Sequence, residues 1–236
     1  MRRQNAFSRK CLGESPSEYR RLLWANFMIQ VEHIISELQE KRPIFHSEAE
    51  FQHALAWEIH CYHPTAAVRL EIHPGRIGPR EYIDIWVKYE NTVYAIELKY
   101  KTNKIDVVYG GEEFHLLNQS APDGGRYDFI KDVVRLERFV GGNPGSIGYA
   151  IILTNDHNYW RPTKNLATTD ADFRIHDGRT LNGELKWSEA TGEGTKEKRE
   201  NPLVLSSSYQ IRWIDYSAFA EKGPSTFRYA LLKIEP

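Results

Sequence analysis

Two acids and a lysine stand where a β-hairpin should bury aliphatic side chains. Residues 82–104 read YIDIWVKYENTVYAIELKYKTNK, and Asp84, Glu97 and Lys99 interrupt two otherwise apolar runs. Strand alternation puts Val93, Ala95, Glu97 and Lys99 on one face of the second run, with Tyr94, Ile96, Leu98 and Tyr100 on the other. On the first run Tyr82, Asp84 and Trp86 share a face, and Ile83, Ile85 and Val87 share the opposite one. A tight turn at Glu90-Asn91 sets Tyr89 across from Thr92. In register, Asp84 then lies directly opposite Glu97, and Lys99 lies across from Tyr82, provided no bulge intervenes. Facing carboxylates repel by about 4 kcal/mol at ~4 Å and an effective dielectric of about 20. A shared proton or a divalent cation would offset that. Carboxylate oxygens suit a hard cation such as Mg²⁺, which keeps several waters and accepts phosphate oxygens. Lys99, on the same face, is placed for a metal-bound water or a phosphate. The plainer reading is a half-exposed strand carrying ordinary charges.

A third acid stands at the start of the helical segment HSEAEFQHALAWEIHCYH, residues 46–63. Ser47 is the natural N-cap, and Ser47 with Glu50 forms a capping box. Glu48 has no such task. It falls on the side of Phe51 and Leu55, where a carboxylate is costly unless paired; attraction to the helix N-terminus is the plainer reading. Phe51, Leu55, Ile59 and Tyr62 form the apolar stripe, and Pro64 ends the helix.

The 236 residues, 41% hydrophobic and 12% aromatic, fit one α/β domain with decorations. A net charge of −1 excludes a strongly basic tail protein but leaves room for a local basic groove. Cys11 and Cys61 are the only cysteines, which fits a reducing cytoplasm without a disulfide framework. The N-terminus lacks the apolar core of a signal peptide, and no run is long enough for a membrane span.

Residues 1–42 read as a basic arm and a helix packed on the core. Ser15, Pro16 and Glu18 open that helix, Leu23, Phe27, Val31, Ile34 and Leu38 form its stripe, and Pro43 stops it. Residues 43–236 form the main unit. AAVRLEIH alternates as a strand, with Val68, Leu70 and Ile72 opposite Arg69 and Glu71. IDVVYGGEEFHLL predicts a second hairpin turning at Gly110-Gly111. SAPDGG reads as a turn, 127–140 as a helix, and IGYAIILT as a strand buried on both faces. Strand, helix and strand there make a right-handed βαβ crossover. In the last third, SEATGEGTKEKREN reads as a surface loop, and YQIRWIDYS and TFRYALLKIE as two late strands.

Glu48, then Asp84 in IDI, then Glu97 and Lys99 in IELK, followed by a helix and a buried strand, resembles the PD-(D/E)XK nuclease superfamily. The match covers about residues 45–155, with Ile83 in place of the family's Pro. The resemblance implies a three-layer α/β/α restriction-endonuclease-like core around a central mixed β-sheet, with an added N-terminal helix and C-terminal strands. It implies Mg²⁺- or Mn²⁺-dependent hydrolysis of phosphodiester bonds. Asp84, Glu97 and the Leu98 carbonyl would bind the metal, Glu48 would bind it through water or complete a second site, and Lys99 would orient or help deprotonate the attacking water.

Gln119 lies within reach of the active face, or stabilises a turn. Glu71 is a further acid on the charged face, or pairs with Arg69, or faces solvent. Asp128, Asp132 and Arg135 share a helical face, where Asp132 and Arg135 read as a surface ion pair. Lys99, Lys101 and Lys104 with Tyr100 and Tyr109, together with Arg76 and Arg80 in the preceding loop, are the candidate groove for a nucleic-acid backbone, or an ordinary solvated face. His53, His60, Cys61 and His63 lack zinc-site spacing. The leading expectation is a DNA endonuclease, with a homodimer as a common assembly of the fold. The alternatives are a nucleic-acid-binding protein without turnover and an RNA- or junction-specific nuclease.

Overall fold

The computed structural model describes residues 28–74, 81–119, 121–165, 167–220 and 224–236. Ser15, Pro16, Glu18, Leu23, Phe27, Arg76 and Arg80 lie outside the described residues.

The opening hairpin forms as its pattern dictates. Strand β2 (Ile83–Tyr89) and strand β3 (Thr92–Lys101) pair antiparallel, with Tyr89 facing Thr92 and Ile85 facing Ile96. Strand β1 (Ala67–Ile72) adds antiparallel to β2, its half-buried Val68, Leu70 and Ile72 alternating with exposed neighbours. The second hairpin, β4 (Ile105–Tyr109) with β5 (Glu112–Leu116), turns at Gly110 and Gly111, both at positive φ. That backbone is open to glycine at no steric cost.

The fully buried β6 (Ser146–Thr154) runs parallel to β3. Parallel neighbours need a long crossover, and helix α3 (Pro122–Gly142) supplies it. Strand β10 (Thr226–Ile234) pairs with β6 and with β9 (Trp213–Ala218), completing a mixed sheet in the order β1-β2-β3-β6-β10-β9. A separate hairpin joins β7 (Thr180–Leu185) to β8 (Leu203–Gln210).

Helices cover both faces of the sheet. Helix α1 (Val31–Lys41) and helix α2 (Glu48–Tyr62) pack with Ile85, Val87, Tyr94, Ile96, Leu98 and Tyr100. Helix α3 packs with Ala95, Ala150, Ile152 and the β7–β8 hairpin. Each interior-facing stripe is apolar, so burial of these stripes supplies the main drive for the layering.

Several expectations are corrected. Met28–Gln30 are not helical; the Ile29 N–H instead donates to the Tyr94 hydroxyl, and α1 starts at Val31. Tyr62 is exposed, not part of the buried stripe. PDGG is the first turn of α3, because Pro122 suits a helix start. YQIRWIDYS is divided between β8 and β9, and β7 was unforeseen: its Gly183 at positive φ breaks the alternation. Ile83 joins the α3-side core while Ile85 and Val87 join the other, so β2 changes face at Asp84.

The start of α3 carries a testable cost. Ala121 sits at φ +77°, a left-handed conformation that costs a residue with a Cβ roughly 1–2 kcal/mol. Replacing it by glycine is expected to stabilise the protein by about 1 kcal/mol net of the added unfolded-state entropy. Urea denaturation of Ala121→Gly checks this; a lower midpoint would show that the methyl group contributes packing that outweighs the strain.

Candidate functional site

The Asp84–Glu97 juxtaposition arises differently from a simple strand pair. The regular β2–β3 ladder ends at Ile85 and Ile96. Beyond it, the Leu98 N–H donates to Asp84 Oδ2 at 2.8 Å, so a side chain takes the place of a main-chain acceptor. Asp84 is therefore tied to the strand one residue past Glu97, and Tyr82 lies before β2 begins, not across from Lys99. On the neighbouring strand Glu71 has φ +50°, a strained backbone beside the same point. Strain of this kind in a non-glycine residue gathers at functional positions. Gln52 from α2 bridges the two, donating to Glu71 Oε1 at 2.8 Å and to the Asp84 carbonyl at 2.7 Å. Glu71 is exposed and linked to Asp84 only through Gln52, and it is not paired to Arg69, which donates to the Val68 carbonyl.

Glu97 and Lys99 point toward α3, as their alternation with Ala95 requires. Glu97 is 1% exposed, and neither of its carboxylate oxygens accepts a hydrogen bond among the described residues. Arg135 Nη1 stands 3.1 Å from Glu97 Oε1, a charge contact without hydrogen-bond alignment. Lys99 Nζ stands 2.7 Å from Asp132 Oδ2 and donates to the Leu98 carbonyl at 3.3 Å. Arg135 also contacts Asp132 directly and donates to the Tyr82 carbonyl. The chain Lys99, Asp132, Arg135, Glu97 is therefore a closed network between β3 and α3. Asp132 is 3% exposed, which corrects the reading of a surface ion pair. Asp128 faces elsewhere and holds Arg199 through both carboxylate oxygens.

Burial, then the charges of Asp132 and Asp84, push the Glu97 carboxyl well above the usual range; Arg135 and Lys99 offset part of this. Burial also raises Asp84, against the pull of Lys99 and the Leu98 N–H. For Lys99, burial disfavours the ammonium, but Asp132, Asp84 and Glu48 outweigh it and hold the amine above the ordinary lysine value. The lysine is a fixed cation here.

Glu48 arrives from the opposite layer. Ser47 caps α2 by accepting from Glu50, while the Glu50 carboxylate reaches back to the His46 N–H and not to that of Ser47. The Glu48 side chain is 42% exposed, not core-facing. Its Oε2 accepts the Tyr100 N–H at 2.7 Å and lies 4.0 Å from Lys101 Nζ. Glu48 thus marks the end of β3, at the N–H two residues beyond the one that Asp84 accepts.

Other candidates fall into place around this end of the sheet. Gln119 lines a cleft of about 450 Å³ together with Lys101 and the start of α3. Lys104 is exposed and 4.0 Å from Asp106. Tyr109 is exposed, whereas Tyr100 is buried with its hydroxyl donating to the Phe45 carbonyl, so Tyr100 offers no stacking surface. Among the described residues no three His, Cys, Asp or Glu side chains are grouped to hold a metal, the histidines of α2 included. The residues nevertheless suit a hard cation. Glu97 presents two buried oxygens without donors, beside Asp84, and such atoms are costly when left alone.

Sequence reasoning overlooked Gln52 and the burial of Asp132. Both had a signal. Gln52 is one helical turn beyond Glu48, on the same side of α2. Asp132 falls within the buried stripe Phe129, Val133, Leu136, Phe139, Val140, where a surface residue should not stand.

Fold and site together define a mixed α/β protein with an acid–base cluster near the carboxyl end of two parallel strands. No family model, curated protein or solved structure matches this chain. No helix among the described residues is long and apolar enough to cross a membrane.

Proposed function

We propose that this chain is a metal-dependent nuclease with a restriction-endonuclease-like core, hydrolysing phosphodiester bonds in DNA by internal cleavage. The observation that carries the reading is Glu97: a buried carboxylate with both oxygens lacking donors, next to Asp84 and on the same strand face as Lys99.

Asp84, Glu97 and the Leu98 carbonyl are the residues that would hold Mg²⁺ or Mn²⁺, with Glu48 nearby. Such an ion supplies Lewis acidity toward a phosphoryl oxygen and a more acidic bound water. Lys99 would donate to a phosphate oxygen or orient the attacking water. Asp132 fixes the Lys99 ammonium, and Arg135 fixes Glu97. Both act by holding reacting groups in place, which matters because small misplacements cost rate.

Supercoiled DNA incubated with the purified protein and Mg²⁺ is expected to be nicked. Asp84→Asn, which keeps an acceptor for the Leu98 N–H but removes the charge, should reduce nicking about 10²–10³-fold. Equal nicking by both proteins would mean a contaminant and withdraw the assignment. Duplex, single-stranded, RNA and junction substrates in competition rank the substrate classes. A second reading, binding without turnover, draws on Arg135 and Lys99, which already neutralise much of the acidic cluster. Mg²⁺ binding with no cleavage of any of these substrates would favour it.

A further inference from the structure

The cleft beside the cluster is built from parts the proposed reaction does not use. Lys101 has the alternation of Glu97 and Lys99 and opens one wall. Gln119 stands next to it, and the first turn of α3 with Ala121, Asp123, Gly124 and Gly125 forms the floor. Asp128, Tyr159, Gly194, Thr195 and Arg199 complete the lining.

Two independent features point to an anionic ligand. The N-terminus of a 21-residue helix favours negative charge. Tyr159 is 2% exposed, yet its hydroxyl makes no hydrogen bond among the described residues and lines the cleft. The hydroxyl opens onto the cleft, so a group bound there would give it a partner. Gly125 is required for this arrangement: a Cβ there would stand 2.1 Å from the Tyr159 hydroxyl. The lining also carries two acids. Asp123 Oδ1 accepts the Gly124 N–H, and Asp128 is saturated by Arg199. Among the described residues the Tyr159 and Thr195 hydroxyls and the Gln119 amide have no side-chain hydrogen-bond partner, and the Lys101 ammonium is paired at 4.0 Å with Glu48.

We propose that this cleft binds a phosphate group of a nucleotide, so that the phosphate next to the scissile one is held at the start of α3. The placement rests on the nuclease reading; the phosphate site itself does not. Crevices at the carboxyl ends of parallel strands are where open α/β sheets receive ligands. Phosphate contacts of this kind set register without reading sequence.

The test separates the two ideas because it uses no metal and reads no cleavage. A fluorescein-labelled hexadeoxynucleotide, with either a 5′-phosphate or a 5′-hydroxyl, is titrated by anisotropy in EDTA and chased with inorganic phosphate. Inorganic phosphate should compete, and Tyr159→Phe, folded by circular dichroism, should weaken both ligands about three- to tenfold, the scale of one neutral hydrogen bond. Lys101→Gln should weaken them further and flatten the salt dependence. Tighter binding of the 5′-phosphorylated probe supports a terminal phosphate as the occupant; equal binding of the two supports an internal one. Phosphate that fails to compete, or a Tyr159→Phe protein that binds like the parent, overturns the site whether or not the protein cuts DNA. Tyrosine-dependent binding in a protein that never cleaves keeps the site and removes the nuclease reading.

Discussion

The substitution Glu97→Gln is expected to slow the proposed cleavage of DNA and to raise the melting temperature near neutral pH. Loss of the charged ligand should lower cleavage about 10²–10³-fold. The stability gain follows from the raised Glu97 pKa. In the unfolded chain this carboxyl ionises near its ordinary value of 4.5. As pH rises past that value, the unfolded state releases the proton while the folded state keeps it, so the unfolded state binds fewer protons. Stability then declines with pH until the folded group also ionises, well above 4.5. Glutamine has nothing to ionise, and the decline disappears. The expected difference at pH 8 is about 1–3 kcal/mol, within the range seen when buried charges are replaced. It translates into roughly 2–4 °C per kcal/mol for a domain of this size. At pH 4 the two proteins should melt nearly together. Added Mg²⁺ should stabilise the parent by about 2.7 kcal/mol at a hundred times its Kd, and the variant far less. A glutamine variant that melts below the parent at pH 8 would mean that Arg135 already compensates the buried charge in full.

Asp132→Asn should be the most damaging single change for stability. It deprives Lys99 and Arg135 of a shared buried counter-charge, and breaking such a pair costs about 3–5 kcal/mol. The Lys99 amine, no longer held up by its nearest carboxylate, should titrate at lower pH. Nitrogen-detected NMR of the lysine side chain reads this directly, without reference to turnover. Adding Lys99→Met to the variant should recover a good part of the lost stability, because the orphaned cation is then gone. Strict additivity of the two changes would refute the coupling.

The parts of the fold that were legible share one property: their pattern had a single solution. The Ile85–Ile96 part of the first hairpin, the Gly110-Gly111 turn and the uninterrupted apolar run of β6 each satisfied one periodicity. Ser47 was legible because its cap is local. The failures came where a side chain replaced the backbone or where distant chain decided the environment. Asp84 ends a ladder by accepting a main-chain N–H, an event that no alternation rule encodes. PDGG looked like a turn because its glycines answer to Arg199 and Tyr159, residues far along the chain. Asp132 was assigned to the surface because an i, i+3 ion pair usually is; its burial follows from β3, which supplies the opposite charges.

Strand β3 is a beam shared by two interiors, since Tyr100 and Leu98 are set in one and Ala95 in the other. Groups mounted on such a beam cannot drift without unzipping ladders on both sides. Their mutual geometry is completed during folding, not upon encounter with a ligand, which is the condition for electrostatic preorganisation. Diversification of what the protein accepts then falls to the connections around the beam, which can be exchanged while the beam stays as it is.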